Sequence, residues 1–175
     1  EAMRHIKSDA VLMIAGAGEL EPEMRQFVET HNLVNVRFLG HLGTDDLAAL
    51  VQGALFTVSP AEWYENYSMA VIESLACGTP VIGANIGGIP EQVRDGWNGF
   101  LFEPGNATEL AARMQSLLDD RESAIQMGRN CRTQVETINN PETHYEQTIQ
   151  VYKQLLGDTT EHTLMNTANS TIGSI

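Results

Sequence analysis

At 175 residues, with 42% hydrophobic content, the chain is long enough for one domain with a real core and short for two. Its net charge of −13, with only ten Lys and Arg, argues against nucleic acid or an anionic membrane as the main partner, since both need basic surface. No apolar run reaches the roughly 18–20 residues of a membrane helix, and no basic-then-apolar leader is present, so the sequence reads as soluble and cytoplasmic.

The opening EAMRHIKSD reads as the end of a helix already under way, which makes an excised part of a longer protein the expectation. VLMIA (11–15) then has the composition of a buried strand, followed by an amphipathic helix from about Glu19 to His31. NVRFLG (35–40) is a second strand. Thr44 is placed to cap a helix that runs to about Gly53, with Asp45 and Asp46 in its first turn, where carboxylates suit the helix dipole. ALFTVSP (54–60) is a third strand. A short apolar helix starts near Ser68 and is ended by Gly78 and Pro80, and TPVIGA (79–84) is a fourth strand. Pro90 begins a two-turn helix that Gly96 closes, FLFE (100–103) is a fifth strand, and Asn106 with Glu109 forms a capping-box-like start. Helix then continues to about Leu156, interrupted at NNP (139–141), where Asn140 caps a restart at Pro141. The expected organisation is a single α/β, Rossmann-like domain over residues 1–157, a parallel sheet with helices on both faces and its first strand lacking. A polar, disordered tail over 158–175 follows.

Ligands of such sheets bind at the carboxyl ends of the strands. Three segments meet that condition. GAGEL (16–20) joins a strand to a helix, so Gly16 and Gly18 either cradle an anion on backbone N–H groups or merely allow a tight turn. A dinucleotide fingerprint would require a small residue at position 21, and Glu21-Pro22 excludes it. In AEWYENYSMAVIESLACGTPVIGA (61–84), Glu65 and Glu73 stand eight positions apart, and from Met69 to Ala76 only Glu73 and Ser74 are not apolar. A lone carboxylate inside an apolar helix costs several kcal/mol unless paired, so Glu73 needs an explanation. One continuous helix would separate the two glutamates by about 12 Å of rise, beyond the spacing of a hydrolytic pair. With the helix starting at Ser68, Glu65 stays on the incoming loop. The N–H groups of Met69 and Ala70 then offer an anion site, and Glu73 faces sugar or ribose hydroxyls. The alternative is that Glu73 caps or pairs with an arginine on a neighbouring helix; spacing alone weighs the two equally. GANIGGIPE (83–91) supplies glycines for close backbone approach, either for a ligand or as a flexible connection.

Cys77 and Cys131 are too few for a disulfide framework and lack metal spacing, which suits structural thiols in a reducing compartment. The five histidines form no H-x-x-x-H pair, so no zinc site is expected. The three N-x-S/T sequons read as chance.

The run SPAEWYENYSMAVIESLACGTPVIGANIGGIPEQVRDGWNGFLFEPGNATELA (59–111) resembles the C-terminal half of retaining glycosyltransferases of family 4, the large group 1 family with the GT-B fold. The E-x(7)-E signature falls on Glu65 and Glu73 and is followed in register by ACGTPVI, GGIPE and DG..GFL..PGN. Upstream, VLMIAGAGEL and VRFLGHLGTDDLAAL match the same pattern, and the resemblance covers roughly residues 3–156. It implies a domain that binds a nucleotide-sugar donor and transfers the sugar with retention of configuration, without metal or other cofactor. By the same resemblance, Glu65 is the catalytic-side glutamate at the transferred sugar and Glu73 binds the ribose. Backbone at Asn66, Tyr67, Ser68, Met69 and Ala70 approaches the diphosphate and sugar, alongside Gly16 and Gly18. The base lies near Phe38–His41, at Leu39 and Gly40.

Two departures qualify this. Asn66-Tyr67-Ser68 replaces the common Gly-Phe-Gly, which should narrow the sugar pocket. The family's upstream Arg and Lys, and its acceptor-holding N-terminal domain with any membrane contact, have no counterpart here. Arg4, Lys7, Arg25 and Arg37 are the only cations in the first sixty residues, and none is expected on the rim. The chain alone should therefore be a poor catalyst. The alternatives are a nucleotide-sugar epimerase on the same fold, which the E-x(7)-E and ACGTPVI pairing speaks against, and a non-catalytic or degenerate nucleotide-sugar-binding module.

Overall fold

The structure is a computed structural model and describes residues 1–156; the tail expected over 158–175 lies outside them. The described residues divide into two compact units, one over Glu1–Val135 and one from Glu136 onward.

The first unit is a parallel α/β fold. After a 3-10 turn at Ala2–His5 come β1 (Leu12–Ala15), α1 (Glu21–Thr30), β2 (Val36–Gly40), α2 (Thr44–Gly53) and β3 (Thr57–Ser59). Then follow α3 (Met69–Ala76), β4 (Val81–Ala84), α4 (Ile89–Gln92), β5 (Gly99–Phe102), α5 (Ala107–Asp119) and α6 (Arg121–Thr137). Every strand pairing is parallel, as strand–helix alternation requires. The hydrogen-bonded ladder comes in two pieces, β1-β2 and β3-β4-β5, rather than in one run.

β4 lies between two strands, and all four of its residues are buried. This is why VIGA reads as an unbroken small apolar run and not as an alternation. Val81 packs with Val71 and Leu75 of α3 and with Ile89, Val93 and Cys131. Ile82 and Ala84 join Phe102 with Ala111, Met114 and Leu117 of α5 and Ala124 and Met127 of α6. Successive residues of one strand thus enter two different cores, which is helix cover on both faces.

The boundaries differ from expectation in instructive places. Gly43, not Thr44, occupies the N-cap of α2, and Thr44 is its first helical residue; Asp45 and Asp46 keep their first-turn positions. α4 is one turn, not two, because Val93 turns extended and enters the core, fully buried, and the Arg94 N–H is taken by Asn98 Oδ1 at 2.7 Å. Gly96 sits in the following turn, its N–H bonded to Gly99 O, and closes no helix. Asn106 caps α5 as expected, accepting from Glu109 N at 3.0 Å, but Glu109 returns its carboxylate to Glu103 N and not to the Asn106 backbone. A further break at Asp120 separates α5 from α6; its carboxylate accepts from Ser123 N and Oγ, which holds its pKa below the ordinary value.

Within the second unit, α7 (Pro141–Leu156) starts at Asn140, whose Oδ1 accepts from Thr143 N at 2.8 Å, as the NNP break predicts.

Candidate active site

The segment after β3 is held open by backbone, not by side chains. Gly88 N donates to Glu65 O at 2.7 Å. A Cβ on Gly88 would lie 1.9 Å from Asn66 O, and one on Gly87 would lie 2.5 Å from Glu65 O. Only glycine lets the two loops approach this closely, and Gly87 also has a φ of 59°. Gly87 and Gly88 of GANIGG therefore position Glu65 and Asn66 in the folded chain, a role outside both sequence readings of that loop. The Glu65 carboxylate accepts from Trp63 Nε1 at 3.3 Å. Trp63, Tyr64, Tyr67 and Met69 are all exposed around it.

α3 begins where its sequence predicts. Ser68 occupies the N-cap with β-region backbone, but its hydroxyl makes no capping bond. Val71, Ser74 and Leu75 form the buried face. Ser74 Oγ shares a 2.7 Å bond with Thr57 Oγ1 and donates to Thr79 O, which ties α3 to β3 and to the turn before β4. Met69 and Glu73, four apart, share the exposed face. Because Cα–Cβ bonds tilt toward a helix's amino end, Glu73 leans toward the open first turn at Met69 and Ala70. The premise that Glu73 is buried among apolar neighbours is thus corrected: it is exposed, and its carboxylate forms no hydrogen bond or ion pair among the described residues. The capping or Arg-pairing alternative is not what the fold shows.

The other predicted residues assemble at the carboxyl ends of β1 and β2. Gly16 N donates to Gly40 O at 2.7 Å, and both glycines have positive φ. The β1-β2 register pairs Ile14 with Phe38 and then Ala15 with Gly40, so Leu39 is a bulge residue without a cross-strand partner. A cavity of about 220 Å³ lies beside this turn, lined by Gly16, Gly18, Leu20, Glu21, Met24 and Phe38 among others. Arg25, expected away from the rim, has its guanidinium 4.4 Å from the centre of the Phe38 ring, while its charge is paired with Glu21 at 2.7 Å. Arg37 binds the carbonyls of Val34 and Val36 at the opposite end of β2. A larger concavity of about 370 Å³, lined by Leu55, Pro80, Arg129 and Arg132 among others, opens at the amino ends of β3 and β4, away from the glutamates. Among the described residues no three His, Cys, Asp or Glu side chains are grouped to hold a metal ion, and no helix is long and apolar enough to cross a membrane.

Sequence reasoning missed one part of the site. Gln92, Asn98 and Gln134 form a buried amide cluster, in which Asn98 Nδ2 donates to Gln92 O at 3.1 Å and to Gln134 Oε1 at 3.0 Å. Three amides spread over forty positions carry no periodic signal. Cys131 Sγ donates to Asn98 O at the same place, and burial pushes its pKa up to about 12.

Parallel strands thus deliver a helix terminus, two glutamates and their bracing glycine turn to strand ends, and the class of protein that shares this arrangement is the GT-B glycosyltransferases. The family model described as glycosyl transferases group 1 matches residues 1–134, and the chain belongs to that family. It is 32% identical over 151 residues to the glycogen synthase of Mycobacterium tuberculosis, covering 86% of this chain and 36% of that one. Its fold matches sucrose-phosphate synthase from Thermosynechococcus elongatus with a TM-score of 0.77 and 31% identity, over 90% of this chain and 41% of the other. The fold of Anabaena HepE, solved in complex with UDP-glucose, matches with a TM-score of 0.77 and 24% identity, over 87% and 43% of the respective chains. The chain spans about a third of the length of the curated relatives it matches.

Proposed function

We propose that this chain binds the donor for a retaining, metal-independent glycosyltransferase, and that the acceptor is held by the remainder of a longer protein. The observation that carries the reading is the arrangement on α3: an uncapped amino end and an exposed, unpaired Glu73 one turn along the same face. Backbone N–H groups at Met69 and Ala70 attract a diphosphate. A carboxylate next to an anion is tolerated only if it accepts hydrogen bonds from hydroxyls, which a ribose supplies. Glu65, on the braced loop, faces the sugar; Asn66, Tyr67 and Ser68 bound its pocket; the Gly16–Gly18 turn lies toward the diphosphate and sugar, and Leu39 and Gly40 toward the base. Membership of the group 1 family and the fold shared with HepE, a protein seen with UDP-glucose, support this.

The test is a calorimetric titration with UDP, GDP, ADP and their sugar conjugates. One nucleotide should bind the wild-type chain, and Glu73→Ala should weaken that binding by about 1–3 kcal/mol while staying folded. If Glu73→Ala binds as well as wild type, the ribose role is wrong. If no nucleotide binds at all, donor binding by this chain alone fails, and the same titration on a full-length protein decides between a pocket that needs upstream cations and an interaction module.

A further inference from the structure

α4 is a single turn with an unusual pair of attachments. At its amino end, Gly88 donates to the carbonyl of Glu65. At its carboxyl end, the Gln92 side chain, 2% exposed, accepts from Ser68 N at 3.1 Å through Oε1 and donates to Ser68 O at 3.1 Å through Nε2. A carboxamide carries a donor and an acceptor side by side, as a peptide unit does. Gln92 therefore pairs with Ser68 as a neighbouring strand would, in a stretch that has no strand beside it. Residues 65 and 68 are both fastened to one helical turn.

Gln92 is itself fixed. Its carbonyl accepts from Asn98 Nδ2 and from Gln134 Nε2, the latter at 2.9 Å, and Asn98 Oδ1 is filled by Arg94 N. A buried amide cluster costs more than apolar packing unless every member is satisfied, and satisfied clusters specify one geometry. The geometry specified here is that of the α3 N-cap.

We propose that Gln92 is a positioning residue for the donor site, with α4 acting as a splint. Gln92 sets the Ser68 backbone, and with it the direction of the open N–H groups of α3 and the offset between Glu65 and Glu73. The functional part of this claim rests on the donor-binding reading above.

Two variants test it. Gln92→Leu keeps the volume and removes both bonds. The amides of Ile72, bonded to Ser68 O, and of Gly88, bonded to Glu65 O, should exchange hydrogen about tenfold faster, while those within α5 hold their rates. Nucleotide affinity should fall about tenfold, the worth of one to two such bonds. Gln92→Glu presents the same donor–acceptor pair only when protonated, and burial raises its pKa. Relative to wild type at each pH, its affinity for UDP, GDP or ADP should be restored at low pH and lost as the carboxyl ionises. Unchanged exchange and affinity in Gln92→Leu would overturn the proposal, as would uniformly faster exchange across all helices, which is the mark of a merely stabilising role. Should Gln92→Leu fail to fold, a pH-independent affinity of Gln92→Glu would overturn it. If wild type binds none of the three nucleotides, the donor reading falls, and exchange at Ile72 and Gly88 still decides whether Gln92 positions α3.

Discussion

Gly88 and Cys131 show how much single residues contribute when they are enclosed. Adding one methyl at Gly88 drives it into the Asn66 carbonyl, where the obstacle is backbone and cannot rotate away. Gly88→Ala should cost about 1–3 kcal/mol in urea unfolding, whereas Gly18→Ala, with nothing within 4 Å of its Cβ, should stay within about 0.5 kcal/mol. Cys131 makes a different prediction. Its thiol pKa rises from 9.0 to about 12 in the folded state because burial disfavours the thiolate. The stability tied to the neutral thiol is then fully present below pH 9 and is lost as pH climbs through 12. Between those limits the melting temperature of wild type should fall more steeply than that of Cys131→Ala, and thiol reagents should modify Cys131 only on unfolding.

The elements divide by how local their causes are. The α5 cap was legible because Asn106 and Glu109 are three apart and act on each other; Asn106→Ala should cost about 1 kcal/mol in thermal or denaturant unfolding. β4 was legible because burial on both faces leaves an unbroken apolar run. The start of α3 was legible from Ser68 and the apolar stretch after it, and with it the place of Glu65 and Glu73. The length of α4 was not, since it is set by Asn98, four residues beyond Arg94, reaching back for a backbone N–H. Nor was the exposure of Glu73, because composition within 69–76 says nothing of which face meets the core. The bulge at Leu39 depends on register with β1, twenty-five residues away, and the Gln92–Ser68 pair spans twenty-four. Such features are decided by what the fold brings alongside.

On the scale of the whole molecule, the donor-binding proposal draws on helix N–H groups and carboxylates of the described residues, yet on few cations. Arg25 is committed to Glu21, and Arg37 to backbone carbonyls. A leaving diphosphate needs positive charge or strong donors in the transition state, each worth about 3–4 kcal/mol. The chain by itself should therefore bind a nucleotide sugar without consuming it faster than buffer does, as a coupled assay of free nucleotide would read. Turnover appearing only when the rest of a full-length relative is supplied would place the missing charge there. Turnover by the chain alone would overturn that division of labour.

The fit of Gly87 and Gly88 against Glu65 and Asn66 bears on how such proteins recombine. Two segments some twenty residues apart share one contact with no side chain between them to absorb a mismatch. A chimera with its crossover between positions 70 and 85 would take the glutamate loop from one parent and its backing from the other. Donor preference in this family should then be inherited as the block 61–92, and swaps of the glutamate loop alone should yield misfolded chains rather than altered specificity.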